Sequence, residues 1–139
     1  MNDAATHTQL IWDRACAGTA QAESGCCLHT GPHSEWSAGN LLVAAVESDV
    51  MATFMRSAEE SGLPVLGYVS AAEAVLDHDP DVRPSIVVRP CIVVGSEKDR
   101  SGAQRLVVNT KARSAIARAL GESLRIQAEV VVVPPAGPD

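Results

Sequence analysis

The run from Trp36 to Gly62, WSAGNLLVAAVESDVMATFMRSAEESG, constrains this chain more than any other stretch. It contains no proline and is punctuated at both ends. Ser37 offers a hydroxyl to the free amides of a first helical turn. Gly62, followed by Pro64, is a stop signal, because glycine tolerates the left-handed conformation and proline cannot continue the ladder. Gly39 falls in the first turn, where it costs least. The spacing therefore predicts one long helix. At about 100° per residue, Ala44, Met51, Met55 and Ala58 share one flank, with Val43, Val50 and Phe54 beside them. Asp49, Thr53, Arg56 and Glu60 fall opposite, and Leu42, Ala45 and Val46 continue that side upstream. The first half is expected to be apolar all round and buried, the second half amphipathic. Asp49 sits at the boundary, either on a solvated face bonded to Thr53 or Arg56, or as a polar group in a cleft beneath the buried helix start.

The rest of the chain must cover that helix. At 139 residues it is expected to be one domain, spanning 1–139. Aromatic residues make up only 3%, so the core must be built from Val, Leu, Ala and Ile. A net charge of −6 argues against nucleic acid or an anionic membrane as the main partner. MNDAATHTQL has no basic region leading into an apolar run, which argues against a secretory signal. No apolar run is expected to be long enough to span a membrane. Cys16, Cys26, Cys27 and Cys91 fit no disulfide-scaffold spacing, so a reduced, cytoplasmic protein is expected.

Residues 1–7 and 134–139 are expected to be disordered. Thr8 to Arg14 predicts a first strand with Leu10 and Trp12 on one face, and Ala15 to Gly18 a turn. Thr19 to Glu23 and Cys26 to Thr30 predict two further strands around Ser24-Gly25. His33-Ser34-Glu35 leads into the helix. Beyond it, Pro64 to Leu76 is expected as a long strand and Ser85 to Val94 as a strand whose internal Pro90 implies an edge or a bulge. Gly95 to Gly102 is expected as a charged loop. A second helix is predicted from Ala103 to Leu120, capped by Ser101 or Asp99 and stopped by Gly121. Its packed stripe would hold Ala103, Leu106, Val107, Thr110, Ser114 and Ala117, with Ser114 at the middle. Ser123 to Val133 predicts a closing strand. This order makes an α+β protein with an antiparallel sheet and two main helices. Because the long helix is apolar on its leading half, a second copy is expected to cover it, giving an obligate homodimer.

Few side chains arrange themselves into chemistry. Cys26-Cys27-Leu28-His29-Thr30-Gly31-Pro32-His33 concentrates thiols and imidazoles, but zinc sites normally space their thiols by two or more residues. Adjacent strand cysteines point to opposite faces. The expectation is small thiols and exposed loop histidines, with no metal and no cofactor. Cys-x-x-Cys, a phosphate-binding glycine loop and Gly-x-Ser-x-Gly are all absent from the sequence. Asp77, Asp79 and Asp81 are expected in a solvated turn.

The run Ser37-Ala38-Gly39-Asn40-Leu41-Leu42-Val43-Ala44-Ala45-Val46-Glu47-Ser48 resembles the start of the central helix in the osmotically inducible protein C (OsmC) and organic hydroperoxide resistance (Ohr) family. In that family a Ser/Thr-Pro-Glu-x-Leu-Leu-like start leads to a peroxidatic cysteine, and Asp49 stands at its place. Ser114 falls where the family has its second cysteine, and Leu120 supplies the leucine that closes the later helix. The strand with an internal proline and the closing strand also fit. The resemblance implies an OsmC-like fold, an intertwined homodimer with sites at the subunit interface, and a relation to peroxiredoxin-like enzymes of the oxidative stress response. Family members use two thiols, helped by an arginine and a glutamate. Here Asp49 and Ser114 cannot perform that cycle, Gly39 replaces the glutamate, and Arg14 is the candidate for the arginine. The expected function is an OsmC-like dimer without peroxidase activity that binds a small apolar ligand at its cleft. The alternatives are a peroxidase acting on hydroperoxides through a displaced cysteine, Cys27 or Cys91, and a non-catalytic interaction module.

Overall fold

The computed structural model describes residues 5–32 and 36–134. The expectations for 1–4, for the His33-Ser34-Glu35 linker and for 135–139 lie outside the described residues. The chain divides into two compact units, Met1–Leu42 and Val43–Asp139.

The first unit is a three-stranded antiparallel meander in the order β1 (Thr8–Arg14), β2 (Ala17–Ala22) and β3 (Cys27–Thr30). Leu10, Ala20 and Leu28 line up across the three strands, and so do Ile11, Thr19 and His29. The strand period of two places Leu10, Trp12, Ala20 and Leu28 on one face, and Gln9, Asp13, Thr19, Gln21, Cys27 and His29 on the other. Ala15 takes a positive φ in the β1–β2 turn, and the Trp12 indole donates to its carbonyl at 2.8 Å. Leu10 and Trp12 are 68% and 73% exposed, so among the described residues the β1 part of this apolar face is open.

The long helix α1 (Ala38–Glu60) begins in the first unit and runs through the second. Ser37 caps it, its Oγ accepting from Asn40 N at 3.1 Å. At the other end Gly62 has φ +67, and Leu63 N returns to the Ala58 carbonyl at 2.8 Å. The expected ends are thus found. The buried face differs from the expectation: Thr53 and Ser57 are buried beside Val46, Val50, Phe54 and Ala58, whereas Met51 and Met55 are exposed. Hydroxyls with partners can be buried, and that lets the packed stripe shift toward the flank read as polar. By length and composition alone α1 is long and apolar enough to cross a membrane, contrary to expectation.

In the second unit, β4 (Gly67–Val75) pairs antiparallel with β5 (Ser85–Val94), while β6 (Leu124–Ile126) and β7 (Glu129–Val132) pair parallel with β5. The sheet is mixed, not antiparallel. A helical connection between β5 and β6 returns the chain in the same direction, which is what a parallel pair requires. Pro90 lies in the central strand, not at an edge, and the closing strand breaks into β6 and β7 opposite Arg89 and Pro90. The donor that proline lacks therefore falls where the ladder is interrupted.

The second helix starts six residues before the predicted Ala103. α2 runs Glu97–Arg113, with Ser96 Oγ accepting from Asp99 N at 3.1 Å and Glu97 and Asp99 in its first turn. It ends at Ser114, after which α3 (Ala115–Leu120) continues to Gly121, whose φ is 56. Phe54, Ala58, Ile92, Val94, Ala103 and Val130 form the core, so α1 and α2 pack on one face of the sheet.

Candidate functional site

Asp49 and Ser114 meet in the second unit. Asp49 lies midway along α1, half-buried, next to the buried Val50 and one turn from the buried Val46 and Thr53. Ser114 stands at the break between α2 and α3 and is fully buried. Its backbone is extended, so one residue closes α2, with its N–H on the Thr110 carbonyl, and caps α3, with Oγ accepting from Ala117 N at 3.1 Å. The Ser114 hydroxyl donates to Asp49 Oδ2. The same oxygen accepts from Ile116 N at 3.2 Å. The carboxylate therefore binds a side chain and a backbone amide of the α2–α3 corner, and the solvated alternative with Thr53 or Arg56 is not what is found.

A second polar tie lies further along the same helix face. Arg113 donates to the buried Ser57 Oγ at 2.6 Å and pairs with Glu60 at 3.2 Å. Sequence reasoning singled out neither Arg113 nor Ile116. The available signal was Ser-Ala-Ile-Ala, a serine in N-cap position before a short apolar run.

This arrangement limits the chemistry. The Ser114 proton is committed to Asp49, a lone pair is committed to Ala117 N, and the side chain has no exposed surface. Such a hydroxyl is a structural donor, not an accessible nucleophile. Elsewhere in the unit, Glu47 of α1 accepts from Ser70 Oγ of β4. Beside it, Tyr68 is pushed up to about 12, first by burial and then by the Glu47 carboxylate.

The remaining candidates lie apart from this pair. Cys91 is half-buried opposite Val69. Strand alternation puts it on the sheet face away from Ile92, Val94 and the helices. Cys27 is exposed at the start of β3, and Arg14 is exposed at the end of β1, both in the first unit. Among the described residues, no group of three or more His, Cys, Asp or Glu side chains is placed to hold a metal ion.

The order of strands and helices and the proline-bearing central strand are those of an α+β protein of the OsmC fold. Solved structures carry that conclusion. An OsmC-like protein of unknown function from Vibrio cholerae superposes with a TM-score of 0.75 at 18% identity, covering 92% of this chain and 99% of that one. An OsmC-like protein from Mycoplasma pneumoniae gives 0.76 at 13% identity, over 95% and 99%. An organic hydroperoxide resistance protein of Bacillus subtilis gives 0.65 at 14% identity, over 91% and 97%. No family model and no curated protein sequence matches the chain.

Proposed function

We propose that this chain is a single OsmC-type domain that assembles as a cytoplasmic homodimer, has no thiol peroxidase chemistry, and binds a small apolar molecule in the cleft between subunits. The observation that carries the reading is the Asp49–Ser114 hydrogen bond. Two side chains that cannot form a sulfenic acid or a disulfide occupy the positions the resemblance gives to two redox thiols. The neighbouring folds include proteins named for organic hydroperoxide resistance, so relation to that stress-response group supports the ancestry and not the reaction.

The exposed apolar surfaces support the dimer. Met51 and Met55 line the outward flank of α1, and Leu10 and Trp12 do the same for the first unit. A second copy that covered them would remove apolar area from water at about 25 cal/mol per Å². The first unit holds an open depression of about 580 Å³ with Leu10, Ala20, Pro32, Ala38 and Leu41 in its walls, apolar surface that a second copy would close over to form such a cleft.

The test is turnover of an organic hydroperoxide by the purified protein with a dithiol reductant, beside Cys27→Ser and Cys91→Ser. No turnover above the uncatalysed rate is the expected result. Turnover that disappears in either variant means that the thiol chemistry has moved, and the proposal fails.

A further inference from the structure

We propose that the outer face of β3 binds a soft monovalent cation of the copper(I) type through Cys27 Sγ and His29 Nε2. The argument begins with the hydroxyl of Thr19. It has one proton, and it gives that proton to Asp13 Oδ2 at 2.7 Å. The same Oγ1 lies 3.1 Å from His29 Nδ1. With its own proton committed, Thr19 can only accept there, so Nδ1 carries the hydrogen and the neutral ring keeps its lone pair on Nε2.

A row of side chains across all three strands therefore fixes both the tautomer and the orientation of one exposed imidazole. Metal-binding histidines likewise donate their second ring N–H to an oxygen acceptor that fixes the tautomer and the ring's orientation; here the acceptor is the Thr19 hydroxyl. Cys27 stands two residues before His29 on the same face, about 6.6 Å along the strand, with its thiol exposed and weakly bonded to the Gly25 carbonyl at 3.6 Å.

The donor set decides which ion fits. Tetrahedral zinc needs four ligands, three of them from protein even in an open site. No three-residue group of that kind occurs among the described residues. A filled-shell monovalent ion is satisfied by two donors, and a thiolate with an imidazole matches the soft preference of copper(I). Binding exchanges the Cys27 S–H bond for an S–metal bond and releases the proton to solvent, with no change of oxidation state.

The experiment titrates reduced, full-length protein with copper(I) held by bicinchoninate, without oxygen. One equivalent per chain should leave the chelator for the protein. Cys27→Ser and His29→Gln should each abolish this transfer. Thr19→Val should weaken it by about tenfold, the usual effect of losing an outer-shell partner. Cys16→Ser, Cys26→Ser and Cys91→Ser should leave it unchanged. Transfer that survives His29→Gln would mean binding by thiols alone and would overturn the proposal, as would equal loss in Cys26→Ser. The ¹⁵N shifts of His29 in metal-free protein give an independent reading of the ring. A proton on Nε2 instead of Nδ1 would overturn the proposal before any metal is added.

Discussion

Asp49 Oδ2 accepts the hydroxyl proton of Ser114 across the seam between α1 and the α2–α3 corner, and takes the Ile116 amide as well. Removing the acceptor leaves a fully buried hydroxyl and a backbone N–H without it. Asp49→Ala should therefore destabilise the protein by about 1–3 kcal/mol, the cost of orphaned buried donors. Asp49→Asn keeps an acceptor oxygen and should lose less. Urea unfolding of the three proteins measures both, and equal stability of Asp49→Ala and the parent would show that the seam does not depend on this carboxylate.

Tyr68 is the only tyrosine in the chain, so its ionisation can be followed by absorbance without interference. In the folded protein it should titrate near pH 12, raised by burial and by Glu47, and near the ordinary value of 10.0 when unfolded. Between those two values the unfolded chain has released the phenol proton and the native state has not. Stability should therefore fall as pH rises from about 10 to about 12. Glu47→Gln should lower the folded pKa only in part, because burial is the larger cause. The phenol oxygen is buried and has no hydrogen-bond partner among the described residues. Tyr68→Phe should accordingly leave the protein equally stable or more stable, and erase the pH dependence in that window.

These two groups also mark where the sequence was readable. The caps of α1, the β1–β3 meander and the span of β5 follow from local chemistry: a serine hydroxyl, a glycine before a proline, and alternating side chains. The packed stripe Ala103, Leu106, Val107, Thr110, Ser114 and Ala117 was likewise legible from helical period, all six being buried or half-buried. The start of α2 at Glu97 was not, because Glu97-Lys98-Asp99-Arg100 contributes no apolar periodicity, although Ser96 with two acidic residues behind it is a cap signal. The break at Ser114 and the parallel pairing of β6 and β7 depend on what the chain packs against, and local propensity does not carry that. The Asp49–Ser114 bond joins residues 65 apart in sequence. Only the resemblance to a two-thiol family suggested that these two positions belong together.

If the outward flank of α1 is covered by a second copy, a charge placed there should separate the copies. Met51 is 40% exposed, although Val50 and Phe54 beside it on the helix are buried. Met51→Glu should shift the mass measured by light scattering from two chains to one and lower the melting temperature, since the subunit partner stabilises by mass action. An unchanged dimer would place the interface elsewhere, and a parent protein that is already monomeric would remove the dimer from the proposal.

Introducing two thiols tests the link between this hydrogen bond and the redox pair that the resemblance implies. A cysteine side chain is one atom shorter than aspartate, so Asp49→Cys with Ser114→Cys requires the α2–α3 corner to move slightly toward α1 before a disulfide of normal geometry can form. That corner is a single extended residue between two helices. The double variant adds two thiols to the four natural cysteines. A thiol-reactive chromophore in denaturant should count all of them after reduction, and two fewer after brief treatment with peroxide, with Cys27 and Cys91 still reactive. Turnover of hydroperoxide should remain low even so, because the double variant does not restore the glutamate that the resemblance implies. If no thiols are lost on oxidation, the two positions are too far apart to have held a disulfide in this chain, and Asp49–Ser114 must be explained as a packing contact alone.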